Sequence, residues 1–210
     1  MEKIILNIWY SNKIFYRLIS YILFPISLLY ILIFYLFRIF KTEIKIGIPI
    51  LCVGNINVGG TGKTSTLLEI VKHFKNKEKN ICVLLKGYGG KNYTFKKVSP
   101  NDSATLVGDE AMLFSNHVPT YISTNRMLAV NKILNDISPD FILLDDGFQD
   151  KSLFKDKNIL MVNGARGFGN GLCLPAGPLR ELIKPALKKA QFLIIAVSYT
   201  HLRAHETSLH

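Results

Sequence analysis

The chain has 210 residues, 49% of them apolar, and a formal net charge of +11. This leaves room for one α/β domain plus an appendage, and the charge points to anionic partners: nucleic acid, acidic lipid headgroups or phosphorylated small molecules. Cys52, Cys82 and Cys173 lie far apart and form no CxxC pair, which argues against a disulfide framework or a zinc site and fits a reduced, cytosolic compartment.

From Leu18 to Phe37 the sequence LISYILFPISLLYILIFYLF carries no formal charge, with Arg17 before it and Arg38 and Lys41 after it. Such a run is long enough to cross the hydrocarbon core of a bilayer, and its tyrosines and flanking basic residues suit an interface. No small-residue cleavage site follows, so it does not read as a signal peptide. Pro25 is expected to kink the helix or divide it. Two arrangements are open, a single span or a helix embedded in one leaflet, and basic residues at both ends leave the orientation undecided. Residues 1–45 are therefore expected to form a membrane-associated helical segment.

After Lys45 short apolar runs alternate with amphipathic stretches. Ile48–Gly54, Ile81–Leu85, Val118–Ile122, Phe141–Asp145, Asn158–Val162 and Phe192–Val197 read as strands. Helices are expected from about Gly62 to Phe74, from Asp109 to Asn116 and from Asn125 to Ile137. That alternation predicts a parallel sheet flanked by helices over residues 46–197. The closing SYTHLRAHETSLH (residues 198–210) lacks the Ile, Lys and Asn favoured elsewhere and resembles a translated sequencing adapter; no function is assigned to it.

The central signal is GNINVGGTGKTS, Gly54 to Ser65, directly after a strand and opening a helix. In a phosphate-binding P-loop, backbone N–H groups and a helix N-terminus cradle phosphate oxygens, and glycines let the backbone approach the anion. The strict spacing is not met, because Asn57 stands where the first glycine belongs. Even so, Asn57, Gly59, Gly60, Thr61, Gly62, Lys63, Thr64 and Ser65 are the expected nucleotide-binding residues, with Lys63 reaching the β- and γ-phosphates and Thr64 holding Mg²⁺. In FILLDDGFQD an apolar strand ends in Asp145 and Asp146, the Walker B arrangement that sets a carboxylate beside the metal. Asp109 and Glu110 open a helix, where acids stabilise the N-terminus by roughly 0.3–1 kcal/mol. One of them could instead take the proton of an attacking hydroxyl, and the sequence does not choose.

Together these blocks resemble the lipid A 4'-kinase family, tetraacyldisaccharide 4'-kinase. GNINVGGTGKTS, KGYGGK (Lys86–Lys91), VGDEA, LLDDGFQ and NGARGFGNGLCLPAGPLRE (Asn163–Glu181) occur in family order, and no general nucleotide-binding fold requires the last. The resemblance implies an ATP- and Mg²⁺-dependent enzyme that phosphorylates the 4'-hydroxyl of an acylated disaccharide phosphate lipid at the cytoplasmic face of the inner membrane. It implies that Lys63 is the phosphate lysine, Thr64 and Asp145 hold the metal, Asp146 belongs to the catalytic set and Asp109 is the general base. Two positions depart from the family pattern. Lys86 stands where arginine is usual, keeping the charge but losing the bidentate fork, and Ser65 stands where proline is common. Family members also continue past the point where this sequence stops, so the chain by itself is expected to bind nucleotide weakly and transfer phosphate poorly.

Two other readings compete. A switch ATPase of the deviant Walker A type needs a lysine immediately before the paired glycines, and Val58 stands there. A membrane module that only binds nucleotide is the other. Nucleic acid is not expected as a partner, because the aromatics gather in the apolar helix rather than in a basic patch, and no obligate protein partner is expected.

Overall fold

The structure is a computed structural model that describes residues 2–91 and 93–197. In chain order, α1 (Glu2–Tyr10) and α2 (Ile14–Ile39) precede β1 (Ile50–Gly54), α3 (Lys63–Asn76), β2 (Ile81–Leu85) and β3 (Lys96–Lys97). There follow α4 (Ala104–Val107), α5 (Asp109–Ser115), β4 (Thr120–Ile122), α6 (Arg126–Asp136), β5 (Phe141–Asp145), β6 (Lys157–Asn163), α7 (Ile183–Lys189) and β7 (Phe192–Ala196). Residues 198–210, read from the sequence as an adapter-like tail, lie outside the described residues.

The strands form one sheet in the order β3-β4-β2-β5-β1-β6-β7. Neighbouring residues in the central strands serve opposite faces. Val53, Val83 and Leu143 pack under α3 and α5 with Leu67, Val71 and Phe114. Cys52, Cys82 and Leu144 pack under α6 with Val130 and Ile133. Burial on both faces is why these strands read as continuous apolar runs rather than as alternation. All pairings are parallel except β3 with β4, which is antiparallel. The expected parallel sheet flanked by helices is present, and at one edge the two-residue β3 adds itself in antiparallel fashion.

Register does the first work for function. Val53, at the end of β1, pairs with Asp145, at the end of β5. The loop leaving β1 and the acid ending β5 therefore emerge side by side at the C-terminal edge of the sheet, where ligands bind in open α/β folds.

α2 is continuous through Pro25, so the expected division does not occur. The single hydrogen bond that Pro25 forgoes is a small loss in a helix fastened on either side of it. Ser20 and Ser27 are its buried residues. The Ser27 hydroxyl donates to the Cys173 carbonyl at 2.9 Å and accepts from the Ala176 amide at 3.0 Å. Farther along, the Tyr30 hydroxyl donates to the Arg180 carbonyl and the Arg38 guanidinium to the Gln149 carbonyl. The helix thus turns a polar stripe toward the domain and leaves Leu18, Ile22, Ile26, Leu29, Ile33 and Leu36 exposed. That reverses the polarity of an ordinary surface helix.

Candidate active site

Between β1 and α3 the chain forms a loop built for an anion. Gly59 and Gly62 take φ of +108° and +76°, conformations that side chains rarely adopt. Gly62 caps α3, whose N-terminal amides face the loop without a side-chain cap. Thr61 is buried, and its hydroxyl accepts from the Asn55 side chain at 3.0 Å. Ser65 is exposed in the first turn of α3. Asn57 is grouped with the nucleotide-binding residues by its place in the motif. Its buried side chain donates to the Gly167 carbonyl at 3.0 Å, so it braces the loop from behind.

Lys63 reaches across to β5. Its Nζ lies 3.3 Å from Asp146 Oδ1 and 3.3 Å from Asn55 Oδ1. Asp146 also receives Arg180, whose Nη1 lies 3.1 Å and 3.3 Å from the two carboxylate oxygens. Burial works against ionisation of Asp146, but Lys63 and Arg180 outweigh it and hold the carboxyl below its usual range. Arg126, itself buried, donates to the Asp145 and Asp146 carbonyls and pairs with Asp150 at 2.9 Å. This fixes the turn that presents both acids.

Asp145 is in the opposite condition. Burial, with Glu110 and Asp146 nearby, pushes its carboxyl up to about 7 despite Lys63 and Arg126. Its Oδ1 is buried without a hydrogen-bond partner. A buried carboxylate oxygen without a partner is costly unless a cation completes it. The Thr64 hydroxyl donates to Glu110 Oε1 at 2.6 Å, which leaves the Thr64 lone pairs free. Asp145 and Thr64 therefore fit a hard divalent cation such as Mg²⁺, which takes oxygen ligands.

Glu110 reaches this site because of a close backbone approach. The Lys91 amide donates to the Leu106 carbonyl at 2.8 Å, locking the KGYGG segment against the turn before α5. At that turn a Cβ on Gly108 would run into the Tyr88 carbonyl oxygen. Asp109 stands exposed one residue ahead of Glu110, its side chain making no hydrogen bond or ion pair among the described residues.

Beside these groups opens a cavity of 740 Å³. Arg126, Asp146 and Arg180 line one side, and Tyr30, Phe34 and Arg38 of α2 contribute another. Lys86 lines it too. The residues that reading the sequence did not assign are Asn55, Arg126, Arg180 and the contact from Glu110. Asn55, Glu110 and Arg180 lie inside the GNINVGGTGKTS, VGDEA and PAGPLRE runs, whereas Arg126 lies in none of the quoted motifs.

The model of the family LpxK, tetraacyldisaccharide-1-P 4'-kinase, matches residues 19–209. The chain belongs to this family. It is 42% identical over 198 residues to the tetraacyldisaccharide 4'-kinase of Francisella tularensis subsp. holarctica, covering 90% of this chain and 61% of that protein. With the enzyme of Histophilus somni it shares 38% identity, covering 83% of this chain and 55% of the relative. The crystal structure of LpxK from Aquifex aeolicus in complex with ATP superposes with a TM-score of 0.75 at 31% identity, over 91% of this chain and 62% of that one. The fold is thus that of the LpxK P-loop domain, and this chain spans less than two thirds of the length of these relatives.

Proposed function

We propose that this chain carries the nucleotide site and acceptor-activating residues of a tetraacyldisaccharide 4'-kinase. In this reading it moves the γ-phosphoryl group of ATP to the 4'-hydroxyl of tetraacyldisaccharide 1-phosphate at the cytoplasmic face of the inner membrane. The observation that carries it is the cavity that joins Asp146 and Arg180 to a wall of α2. Asp146, which Lys63 at the start of α3 contacts at 3.3 Å, links this cavity to the phosphate-binding loop, and α2 on its far wall is read as the lipid-facing helix.

The loop from Gly59 to Gly62 and the N-terminus of α3 bind the triphosphate through backbone amides. Lys63 leaves Asp146 for the β- and γ-phosphates and offsets charge on the transferred group. Thr64 and Asp145 would hold Mg²⁺, which would supply positive charge against the phosphate oxygens. Asp109, exposed on the turn that Gly108 fixes, accepts the proton of the 4'-hydroxyl as that oxygen attacks the γ-phosphorus in line. Arg180 and Arg126 keep the Asp145–Asp146 turn in place.

Support for embedding in one leaflet, rather than spanning, comes from the contacts of α2. The stretch from Ser20 to Arg38 rises about 27 Å at 1.5 Å per residue, close to the thickness of the hydrocarbon core. Contacts to the domain recur along all of it. A span would carry those polar partners into lipid, whereas a helix lying at the surface leaves them in the domain.

The test uses the chain joined at Val197 to the following part of the Francisella relative, with γ-labelled ATP, Mg²⁺ and tetraacyldisaccharide 1-phosphate on membranes. Label is expected in the lipid fraction for the parent and not for its Asp109→Ala variant. Label released only as free phosphate would favour a switch ATPase.

A further inference from the structure

A second cavity, of 380 Å³, lies at the other end of α2, away from the acids of the nucleotide site. Trp9, Tyr10, Arg17, Tyr21 and Arg166 are among its lining residues, and no acid is. Among the described residues neither Arg17 nor Arg166 makes an ion pair. Arg166 stacks its guanidinium over the Tyr10 ring, 5.5 Å from its centroid. Up to residue 42 the sole acid is Glu2, against Lys3, Lys13, Arg17, Arg38 and Lys41.

The walls are built rather than loosely apposed. Trp9 Nε1 donates to the Pro175 carbonyl at 3.1 Å, and the Asn170 amide donates to the Trp9 carbonyl at 2.9 Å. Asn170 Nδ2 also donates to the Ser20 hydroxyl at 3.1 Å and to the Ala176 carbonyl at 2.8 Å. The end of α1, the start of α2 and the loop after β6 are thereby held as one unit. The rim continues into the exposed apolar face of α2, since Tyr21 lines the cavity and the adjacent Leu18 and Ile22 are exposed.

We propose that this cavity binds the phosphate headgroup of an anionic membrane glycerophospholipid, with Arg17 and Arg166 on the phosphate. Tryptophan and tyrosine sit at headgroup depth, and arginine offers a planar fork that matches phosphate oxygens. The volume falls within the roughly 300–1,000 Å³ of small-molecule sites. The acyl chains of such a lipid run out along Leu18 and Ile22. This site is separate from the acceptor cavity and rests on the membrane-facing reading of α2. Its role is to pin the N-terminal end of α2 at the surface while the C-terminal end borders the reaction.

Trp9 is the chain's one tryptophan, so its fluorescence reports on this cavity. The full chain is mixed with vesicles of phosphatidylcholine alone, or of phosphatidylcholine with phosphatidylglycerol, each with brominated acyl chains as quencher. Binding to both is expected, with stronger affinity and deeper Trp9 quenching on phosphatidylglycerol. Arg17→Ala and Arg166→Ala should each cut that preference about fivefold. The pair Arg17→Lys and Arg166→Lys, which keeps the charge but not the fork, should lose most of it. Equal binding by the lysine pair would mean diffuse charge attraction and overturn the site. A Trp9 response to inorganic phosphate alone, matching that to vesicles, would assign the cavity to a free anion and overturn the lipid. Equal binding to both vesicles would overturn the site but leave α2 at the membrane; binding to neither would overturn both readings.

Discussion

Thr64 gives its hydroxyl proton to Glu110 at 2.6 Å, so the loop threonine proposed to hold the metal is already oriented by an acid from another element. A hydroxyl has one proton and two lone pairs, and with the proton so placed the lone pairs are available to a cation. Glu110→Gln keeps an oxygen acceptor and should have a modest effect. Glu110→Ala removes the acceptor, and should weaken Mg²⁺-dependent nucleotide binding about tenfold, the worth of a hydrogen bond to a charged group. Calorimetric titration with a non-hydrolysable ATP analogue, with and without Mg²⁺, measures it.

Asp145 is a buried carboxylate whose Oδ1 lacks a partner. Asp145→Asn removes the charge that burial penalises, so the metal-free protein should melt at a higher temperature. The same change should abolish the rise in melting temperature that Mg²⁺ with nucleotide gives the parent. Thermal melts in chelator and in Mg²⁺ separate the two effects.

Gly108 has a φ of +89°, and a side chain there would strike the Tyr88 carbonyl. Gly108→Ala should cost about 1–3 kcal/mol through backbone strain and displace both Asp109 and Glu110. Denaturant unfolding should show the loss, and Mg²⁺-dependent nucleotide affinity should fall with it.

The two sides of α2 should respond oppositely. Ser27 is buried with two hydrogen bonds to the loop after β6, so Ser27→Ala should cost about 1–3 kcal/mol by stranding a buried amide. Ile22 and Leu29 are exposed, so Ile22→Lys with Leu29→Lys should leave unfolding unchanged and reduce retention on vesicles. Denaturation and vesicle flotation on the same preparations check this pair.

Much of the fold was legible because its elements are locally consistent. ICVLL and FILLD became β2 and β5 at the expected residues, since a strand buried on both faces is an unbroken apolar run. Asn125, expected inside the third helix, is its cap and accepts from the Leu128 amide. α1 fell within the helical segment expected over residues 1–45 without being separated from α2; α4 and α7 went unread, being short, and α7 contains Pro185 near its start, where proline is tolerated but reads as a breaker. The two-residue β3 has no periodicity to detect. In the site, the loop and the Asp145–Asp146 pair were legible as contiguous motifs. The clamp of Arg180 on Asp146 spans 34 residues in sequence and the Thr64–Glu110 bond spans 46, and such pairings exist only once the sheet has set the register. The preference for Asp109 over Glu110 came from family resemblance. Glu110 is the one that touches the loop, which leaves Asp109 open toward solvent and available to an acceptor.

The most direct measurement is the position of the new phosphate on the lipid. The chain joined to the remaining part of the Francisella relative is incubated with Mg²⁺, ATP and tetraacyldisaccharide 1-phosphate, and the product is read by phosphorus NMR and mass spectrometry. A second phosphomonoester at the 4'-oxygen, absent with Lys63→Ala, is the predicted result. An ATP-binding, folded protein that leaves the lipid unchanged, or phosphorylates another hydroxyl, would contradict the account.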